Sequence, residues 1–474
     1  MVLDETSATG HVMALLSAIN NGADIRTGIY GIVWYSWRLF GPRVPQALID
    51  YNVGVQINLF GGYPTTKDIV PSAIFAVVFG LLAIFHILIF ILNFSRGHYF
   101  FLSLAWAFYC ILRVVGWVLR ITWGQDIVRV KMGIANEVLL IIPSILLVSF
   151  NLILAQRLFT WRHPVGGSRK LFWSFMWVSY GFVAVVTVIT IVASAIPYMY
   201  FLSTSQFMIY QALVKWSAIM IIVYSLTSIN LIALSYFFKP TAKDENLYTY
   251  QPWWIESFAP FYFVKKNAAR EAEETFMKRN HNHRHAIRVI AATHHHYNMV
   301  EGLTNKRGDL KHNFSLSIII FSTLLIFVAA IMRAVVVFQA RKNRDMSSAG
   351  DRVAMYIMWG FCEALINISY IVGRADLRFY RPDVLPAKVR AVITAEQTNY
   401  HSDEEEGPVV SEQESEQESD QESDEDYDFD FDNDDGFEFE TKRSQLSDPP
   451  NYYSQQQRFE DKVEKGDDES EFYF

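Results

Sequence analysis

The chain has 474 residues, of which 51% are hydrophobic and only 19% are charged, and its long uninterrupted apolar runs exclude a soluble single-domain enzyme. Its two cysteines exclude a disulfide-rich secreted scaffold. The net charge of −8 combines a basic body with an acidic tail, because residues 402–440 hold 20 acidic and no basic side chains, which leaves 29 acidic against 41 basic side chains elsewhere.

Residues 1–68 precede the first long apolar run. They contain no good secretory signal peptide, because Asp4 and Glu5 stand where a basic region is required and the apolar run Val12–Ile19 is short. The aromatic stretch Ile29–Phe40 is either a helix lying in the membrane interface or a cap packed on the ends of the spans. The sequence leaves these two interpretations open.

Seven apolar stretches follow, each long enough to cross a bilayer as a helix of about 20 residues. Backbone groups inside lipid must bond internally, so each stretch is predicted to be helical. The predicted spans are 69–94, 99–123, 133–155, 171–196, 212–238, 315–338 and 353–373. The expected fold is therefore an all-α, seven-transmembrane helical bundle, with spans one to five in residues 69–238 and spans six and seven in residues 315–373.

Basic residues near the ends of the spans predict the orientation. With the N-terminus outside, 15 Lys and Arg side chains fall on the inner side and 7 on the outer side. We therefore expect an integral membrane protein with an extracytosolic segment 1–68 and a cytosolic C-terminus. The expected location is the plasma membrane or an endomembrane.

Residues 239–314 are predicted to be a cytosolic loop with a charged, histidine-rich helix from about Lys265 to Tyr297. His281 and His285 would share a face of that helix at a spacing that suits zinc or copper. They are weak candidates, because no cysteine or clear carboxylate completes a site. We therefore predict no metal and no cofactor.

Charged side chains inside the spans are the main candidates for a functional site, because a charge at a helix centre costs about 2.5–3.5 kcal/mol. With the N-terminus outside, six of them fall in the outer half of the bundle, and Trp117 lies between the two arginines of the second span. The predicted cavity residues are Arg113, Trp117, Arg120, Glu137, Lys215, Arg333 and Glu363. Four positive and two negative charges predict an outward-facing cavity for a small anionic ligand. The alternative is internal pairing, of Arg113 with Glu363 and of Arg120 with Glu137, which only fixes helix packing.

Residues 374–474 are predicted to be a disordered, acidic cytosolic tail. Five of its serines have an acidic residue three positions later, a pattern typical of sites for an acidophilic kinase. These serines are Ser402, Ser411, Ser415, Ser419 and Ser423. Pro449, Pro450 and Tyr452 match the PPxY ligand of WW domains, in which prolines preform an extended helix that docks on aromatic rings. A WW-domain ubiquitin ligase is therefore an expected partner of the tail.

A set of short motifs occurs in order along the body of the chain. The motifs are Phe60–Pro71 before the first span, Arg96-Gly97-His98 after it, Arg113 and Arg120, Asn151–Arg157 and His163-Pro164 at the end of the third span, and Asp376–Pro382 after the seventh. Together they resemble a fungal family of seven-helix membrane proteins that is known only as a domain of unknown function. The resemblance covers about residues 58–385 and implies a seven-helix fold. It implies no activity, ligand or catalytic residue.

Three functions fit these features. The first is a receptor- or sensor-like protein that binds a small anionic ligand in the outer cavity. The second is a transporter or exporter of an amphiphile, and the third is a trafficking adaptor that presents a ubiquitin ligase through Tyr452. No catalytic constellation is recognisable in the sequence, so an enzyme is not expected. The expected partner is the lipid bilayer, and no nucleic-acid partner is expected.

Overall fold

The fold is that of a computed structural model of the chain. The structure describes residues 8–41, 43–163, 169–238, 248–251, 260–264, 266, 288–291 and 313–379. The predicted metal candidates His281 and His285, the five tail serines and the PPxY residues lie outside this part of the chain.

Three short helices form an N-terminal cap: α1 (Ala8–Ile19), α2 (Ile29–Phe40) and α3 (Gln46–Val55). They share a small apolar core of their own. Its members are Met13, Ile32, Leu48, Tyr51 and Val55. The cap is therefore a packed element rather than an unstructured leader to the spans.

Among the described residues, seven helices are long and apolar enough to cross a membrane, which confirms the predicted fold class. They are α4 (Ile69–Ser95), α5 (Leu102–Gln125), α6 (Val130–Arg162), α7 (Lys170–Met199), α8 (Thr204–Phe237), α9 (Asn313–Gln339) and α10 (Arg352–Val372). A one-turn helix, α11 (Ala375–Arg378), follows the last span. Within α10, residues Tyr356–Cys362 form a π-helical turn, a local widening of the helix that often occurs at functional sites.

The ends of the spans follow local polar signals rather than the apolar runs alone. Thr65 and Asp68 form a capping box just before α4, in which Thr65 N donates to Asp68 Oδ2 at 2.9 Å. Ser203 and Gln206 form another, so the fifth span begins at Thr204 rather than at the predicted residue 212. The third span also runs longer than predicted, from Val130 to Arg162.

The spans are packed side by side in an order close to that of the sequence. Helix α5 packs between α4 and α6, α8 packs against α6, α7 and α9, and α10 closes the bundle against α4 and α9. Helices α5 and α6 approach each other closely at Gly116, where a Cβ atom would lie 3.2 Å from the carbonyl oxygen of Leu139. Glycine at this position therefore allows the two backbones to meet.

The N-terminal cap is fixed to one end of the bundle by backbone hydrogen bonds. Asp24 N donates to Leu202 O at 2.8 Å, and Gly28 N donates to Pro197 O at 2.9 Å. On the other side, Asn58 N donates to Arg341 O at 2.8 Å. This end is called the cap end below, and the opposite end, where α4 and α10 finish, is called the tail end.

Helix α2 is the stretch for which the sequence left two interpretations open, an interfacial helix or a cap packed on the spans. One face packs on the bundle, with Ile32 and Ser36 buried and the ring of Phe201 so close to Gly31 that a Cβ there would lie 2.5 Å from it. The other face leaves Trp34 and Trp37 exposed. The stretch is therefore a packed cap. That its aromatic outer face lies in the membrane interface stays a prediction.

The loop predicted to carry a histidine-rich helix contains a pair of short strands. Tyr248–Gln251 (β1) pairs in antiparallel fashion with Arg288–Ala291 (β2), with Tyr248 opposite Ala291. The predicted helix Lys265–Tyr297 is therefore wrong over Arg288–Ala291, where two β-branched residues favour a strand. Most of its remaining residues lie outside the described part of the chain.

Candidate functional site

A cavity of about 160 Å³ lies beneath the N-terminal cap, between the spans. It is called the cap cavity below. Its walls come from the segment after α3, from α6, from the end of α7, from α8 and α9, and from Trp359 of α10. Apolar side chains form much of the wall, including Ile134, Val138, Ile141, Val214, Val336 and Trp359. An engineered apolar cavity of about 150 Å³ binds benzene, so the cap cavity has room for a small organic molecule.

Two side chains of opposite charge line the cap cavity from facing spans, Glu137 on α6 and Arg333 on α9. Arg333 is only 8% exposed, and Glu137 is partly accessible. Within the described part of the chain they do not form a direct ion pair, since no nitrogen–oxygen distance between them is within 4.0 Å. Asn136 Nδ2 donates to Glu137 Oε1 at a long 3.4 Å. The cavity wall therefore carries one acid and one base that are not saturated by each other.

Other polar groups at the cap cavity form hydrogen bonds or ion pairs with each other. The hydroxyls of Tyr63 and Tyr198 lie 2.8 Å apart. Burial raises the pKa of Tyr63, so its hydroxyl stays protonated over the physiological range. Arg26 also lines the cavity, and Asp24 holds its guanidinium at 2.7 Å. The hydrogen bond from Arg26 lowers the pKa of Asp24, which keeps this rim pair charged.

The structure brings only Glu137 and Arg333 of the seven predicted cavity residues to the wall of the cap cavity. Arg113, Arg120 and Trp117 are fully buried between helices instead. Lys215 is half-buried, with its ammonium 6.0 Å from the ring of Phe338. The predicted convergence of six charges on one positively biased cavity is therefore wrong, because most of the cationic groups are turned toward other partners.

Arg113 forms the central polar layer of the bundle with Glu363. Its Nη2 lies 2.5 Å from Glu363 Oε1 and its Nε lies 2.7 Å from Glu363 Oε2. Tyr109 donates a hydrogen bond to the same carboxylate, and Ser144 Oγ donates to it at 2.8 Å. A fifth contact, from Arg113 Nη1 to Leu140 O at 2.9 Å, reaches α6 next to Pro143. This pairing was the alternative that the sequence offered for these two residues.

Arg120 does not pair with Glu137 as that alternative had it. Its Nη2 lies 3.2 Å from Asp68 Oδ1 and donates to the carbonyl oxygen of Gly61 at 2.8 Å. Tyr356 of α10 also bonds Asp68, with its hydroxyl 3.0 Å from Oδ1. Asp68 belongs to the capping segment before α4, so an acid outside the predicted spans neutralises a base inside them.

A second cavity, of about 30 Å³, adjoins the cap cavity and extends alongside the central layer. Arg333, Trp359 and Ile141 line both cavities, and Glu363 lines the second. The guanidinium of Arg113 lies 5.5 Å from the ring of Trp359. Trp359 sits in the π-helical turn, so this turn separates the cap cavity from the central ion pair.

A third polar layer lies between the centre and the tail end. Asn151 Oδ1 accepts hydrogen bonds from Tyr370 Oη at 2.5 Å and from Ser322 Oγ at 3.0 Å. Its Nδ2 donates to Thr323 Oγ1 at 3.2 Å. The ring of Tyr370 stacks on Trp106 with centroids 4.7 Å apart. One asparagine thereby joins α6, α9 and α10.

The polar cluster at the tail end was not predicted as a site. Asp376 accepts from Arg374 Nη2 at 2.7 Å and from Asn93 Nδ2 at 2.6 Å, and its carbonyl oxygen lies 3.0 Å from His98 Nε2. Arg374 Nη1 also donates to Pro260 O at 3.0 Å and to the carbonyl oxygen of Tyr262. The motifs Arg96-Gly97-His98 and Asp376–Pro382 contain two of these residues, His98 and Asp376, so the resemblance was the available signal.

Helix α10 and the residues that follow it contribute to every one of these layers. Glu363 and Tyr370 are seven residues apart in the α-helical part of α10, so they share one face of the helix. Tyr356, in the π-helical turn before them, is buried as well. Asp376 continues the line at the tail end. Among the described residues no group of three or more metal-ligating side chains is present, and the layers are held by hydrogen bonds and ion pairs.

Comparison with known families gives one match. Residues 164–380 match a family model described as "Protein of unknown function (DUF3112)". This confirms the resemblance to a domain of unknown function and places it on the second half of the bundle, so the motifs before residue 164 lie outside the matched stretch. No curated protein and no solved structure matches the chain.

Proposed function

We propose that this chain is a receptor- or sensor-like membrane protein, which binds a small ligand in the cap cavity and transmits its presence to the tail end. The observation that carries the proposal is the course of α10. It places Trp359 in the cavity wall, Glu363 in the central ion pair and Tyr370 in the third layer. A ligand that favours one position of Trp359 therefore acts on a helix whose polar contacts extend to the opposite end.

The proposed orientation has the cap end outside and the tail end in the cytosol. It follows from the excess of basic residues on the tail side, which cytosolic loops favour. Arg96, Arg157 and Arg374 lie at this end. The cap cavity would then take its ligand from the outside or from the outer leaflet.

We propose that the signal is passed to residues 260–264, the loop segment that Arg374 contacts. Its guanidinium lies 4.5 Å from the ring of Phe263, and Arg96 lies 5.5 Å from the same ring. Val264, next in sequence, is buried. A shift of α10 that moves Arg374 would loosen this segment, which belongs to the loop between spans five and six.

The test fills the cap cavity and reads the tail end. Val138→Trp places an indole in the cavity, and Val178→Trp makes the same change on the outer face of α7, where Val178 is 69% exposed. Full-length protein in lipid nanodiscs is analysed for co-purifying small molecules by mass spectrometry and for amide exchange at residues 95–101 and 373–379. We expect Val138→Trp alone to lose a co-purifying molecule and to change exchange at the tail end. Unchanged content and unchanged exchange would overturn the proposal.

The second cavity favours an exporter or transporter of an amphiphile as a second candidate, because it extends the space from the cap cavity toward the bundle centre. Transport requires net movement of the molecule across the membrane, whereas reception requires binding alone. Proteoliposomes that hold wild-type protein or the Val138→Trp variant separate the two. Accumulation of the co-purifying molecule in wild-type vesicles alone would assign transport.

The tail carries the third candidate, an adaptor for a WW-domain ubiquitin ligase. Here the test compares Tyr452→Ala with Tyr453→Ala, because only the first residue belongs to the PPxY pattern. Stabilisation of this protein alone by Tyr452→Ala indicates a signal for its own turnover, and accumulation of other membrane proteins indicates an adaptor. Phosphorylation of the five tail serines stays a prediction that phosphopeptide mapping tests.

A further inference from the structure

Glu137 and Arg333, the two charges that the spans contribute to the cap cavity, differ from the central ion pair of the bundle. Arg113 and Glu363 satisfy each other through two short contacts. Arg333, in contrast, has no hydrogen-bond acceptor for its guanidinium within the described part of the chain. Glu137 receives one long hydrogen bond, from Asn136. The cap cavity thus contains an unused donor group and a largely unused acceptor group on opposite walls.

A guanidinium at this depth needs acceptors. It has five N–H donors, and a buried cation without hydrogen bonds carries a large desolvation cost. Glu137 lines the same cavity but makes no direct ion pair with Arg333 in the described part of the chain. The missing acceptors must therefore come from whatever occupies the cavity, and so must a donor for Glu137.

The rest of the cavity wall determines the chemistry of the remaining part of the ligand. Val138, Ile141, Val214 and Val336 offer no hydrogen bonds, so they suit a hydrocarbon body. The cavity volume of about 160 Å³ accommodates a body of a few carbon atoms. Because Glu137 lines the cavity together with Arg333, a ligand that also donates a hydrogen bond replaces the simple anion that the sequence predicts.

We propose that the cap cavity binds a short amphiphile whose head group both accepts and donates hydrogen bonds, such as a hydroxycarboxylate. Its carboxylate accepts from Arg333, its hydroxyl donates to Glu137, and its hydrocarbon part lies against the apolar wall. This inference rests on the proposed ligand-binding function and names the chemical class of the ligand.

The test uses three probes of one chain length: 3-hydroxyhexanoate, hexanoate and hexan-1-ol. Binding of each radiolabelled probe to full-length protein in nanodiscs is measured against the Val138→Trp variant, which corrects for uptake by lipid. We expect 3-hydroxyhexanoate to bind wild-type protein about tenfold to a hundredfold more tightly than hexanoate, since a hydrogen bond to a charged group is lost in hexanoate. This comparison needs no charge variant and so does not depend on the folding of one.

Charge variants then assign the two ends of the head group. Arg333→Gln should weaken both carboxylates about tenfold or more, whereas Glu137→Gln should weaken 3-hydroxyhexanoate and spare hexanoate. Lys215→Gln is the matched control, because Lys215 is a half-buried cation near the same end that does not line the cavity. Its affinities should match those of the wild type.

Equal affinities of 3-hydroxyhexanoate and hexanoate for the wild type would overturn the head-group inference and leave ligand binding intact. Equal uptake of all three probes by wild type and Val138→Trp would overturn the ligand class. The proposed function fails separately, when Val138→Trp changes neither the co-purifying molecules nor exchange at the tail end.

Discussion

Arg113 Nη2 lies 2.5 Å from Glu363 Oε1, so the middle of the bundle is held by an ion pair between α5 and α10 with both side chains buried. Glu363→Gln leaves the arginine charge without its partner, and we expect a loss of about 3–5 kcal/mol in the free energy of unfolding. The double change Arg113→Met with Glu363→Leu removes both charges and should recover most of that loss. Unfolding of purified protein in nanodiscs measures both.

The control for this pair is Arg129→Gln, which breaks an exposed ion pair with Asp126 of 3.1 Å. Exposed pairs contribute about 0–1 kcal/mol, so this variant should stay close to the wild type. If the double variant were as unstable as Glu363→Gln, the cost would not come from the unpaired charge.

Tyr370 separates hydrogen bonding from packing in the third layer. Tyr370→Phe removes the 2.5 Å hydrogen bond to Asn151 and keeps the ring on Trp106, so we expect a loss of about 0.6–1.7 kcal/mol in the free energy of unfolding. Tyr370→Ala also removes the ring and should cost about 3–5 kcal/mol. Similar losses for the two variants, measured by unfolding in nanodiscs, would show that the stacking contributes little.

His98 makes the stability of the tail end depend on pH. Burial lowers the pKa of His98 below the ordinary 6.5; Asp376 opposes this shift and the charge of Arg374 adds to it. The unfolded chain therefore binds this proton more readily than the folded one. The contribution of neutral His98 to the free energy of unfolding is fully present above about pH 6.5. It is lost as the pH falls toward the pKa of His98 in the folded state.

The measurement is the unfolding temperature of wild type and His98→Asn from about pH 8 to about pH 5, outside the range in which Asp24 titrates. We expect the wild type to lose stability relative to His98→Asn as the solution is acidified. A constant difference between the two proteins would exclude His98 as the titrating group.

Gly61 is required both by its backbone angle and by its neighbour. Its φ is +94°, and a Cβ atom there would lie 2.4 Å from Met355 Sδ. Gly61→Ala should therefore cost about 1–2 kcal/mol for the backbone and a further 1–3 kcal/mol for the overlap. Gly97→Ala, at φ +81° with no atom near the added methyl, isolates the backbone part. Equal losses in an unfolding experiment would show that Met355 moves aside without cost.

The spans were predictable because lipid permits few backbone conformations. All seven predicted spans correspond to helices. Their ends were less predictable, because polar boxes such as that of Ser203 with Gln206 extend a helix beyond its apolar run. The π-helical turn of α10 has no signal in the composition of that span.

The charge partners were predictable only where both lie inside spans. The sequence offered Glu363 for Arg113, and the structure has that pair. For Arg120 it offered Glu137, whereas the structure has Asp68, which belongs to a capping segment outside the apolar runs. Hydropathy predicts which residues lie inside the membrane. It carries no information about how a polar segment folds back over the end of a span.

The two arginines of α5 also differ in when their partners are made. Asp68 precedes Arg120 by 52 residues, so it is already present when α5 is synthesised, whereas Glu363 follows Arg113 by 250 residues. At about 5–20 residues per second, Arg113 waits about 12–50 s for its partner. During that time the membrane holds a charge that costs about 2.5–3.5 kcal/mol. Translation of α10 thus neutralises the bundle last, and a chain that stops before it keeps an embedded charge by which cellular quality control can distinguish it from the finished protein.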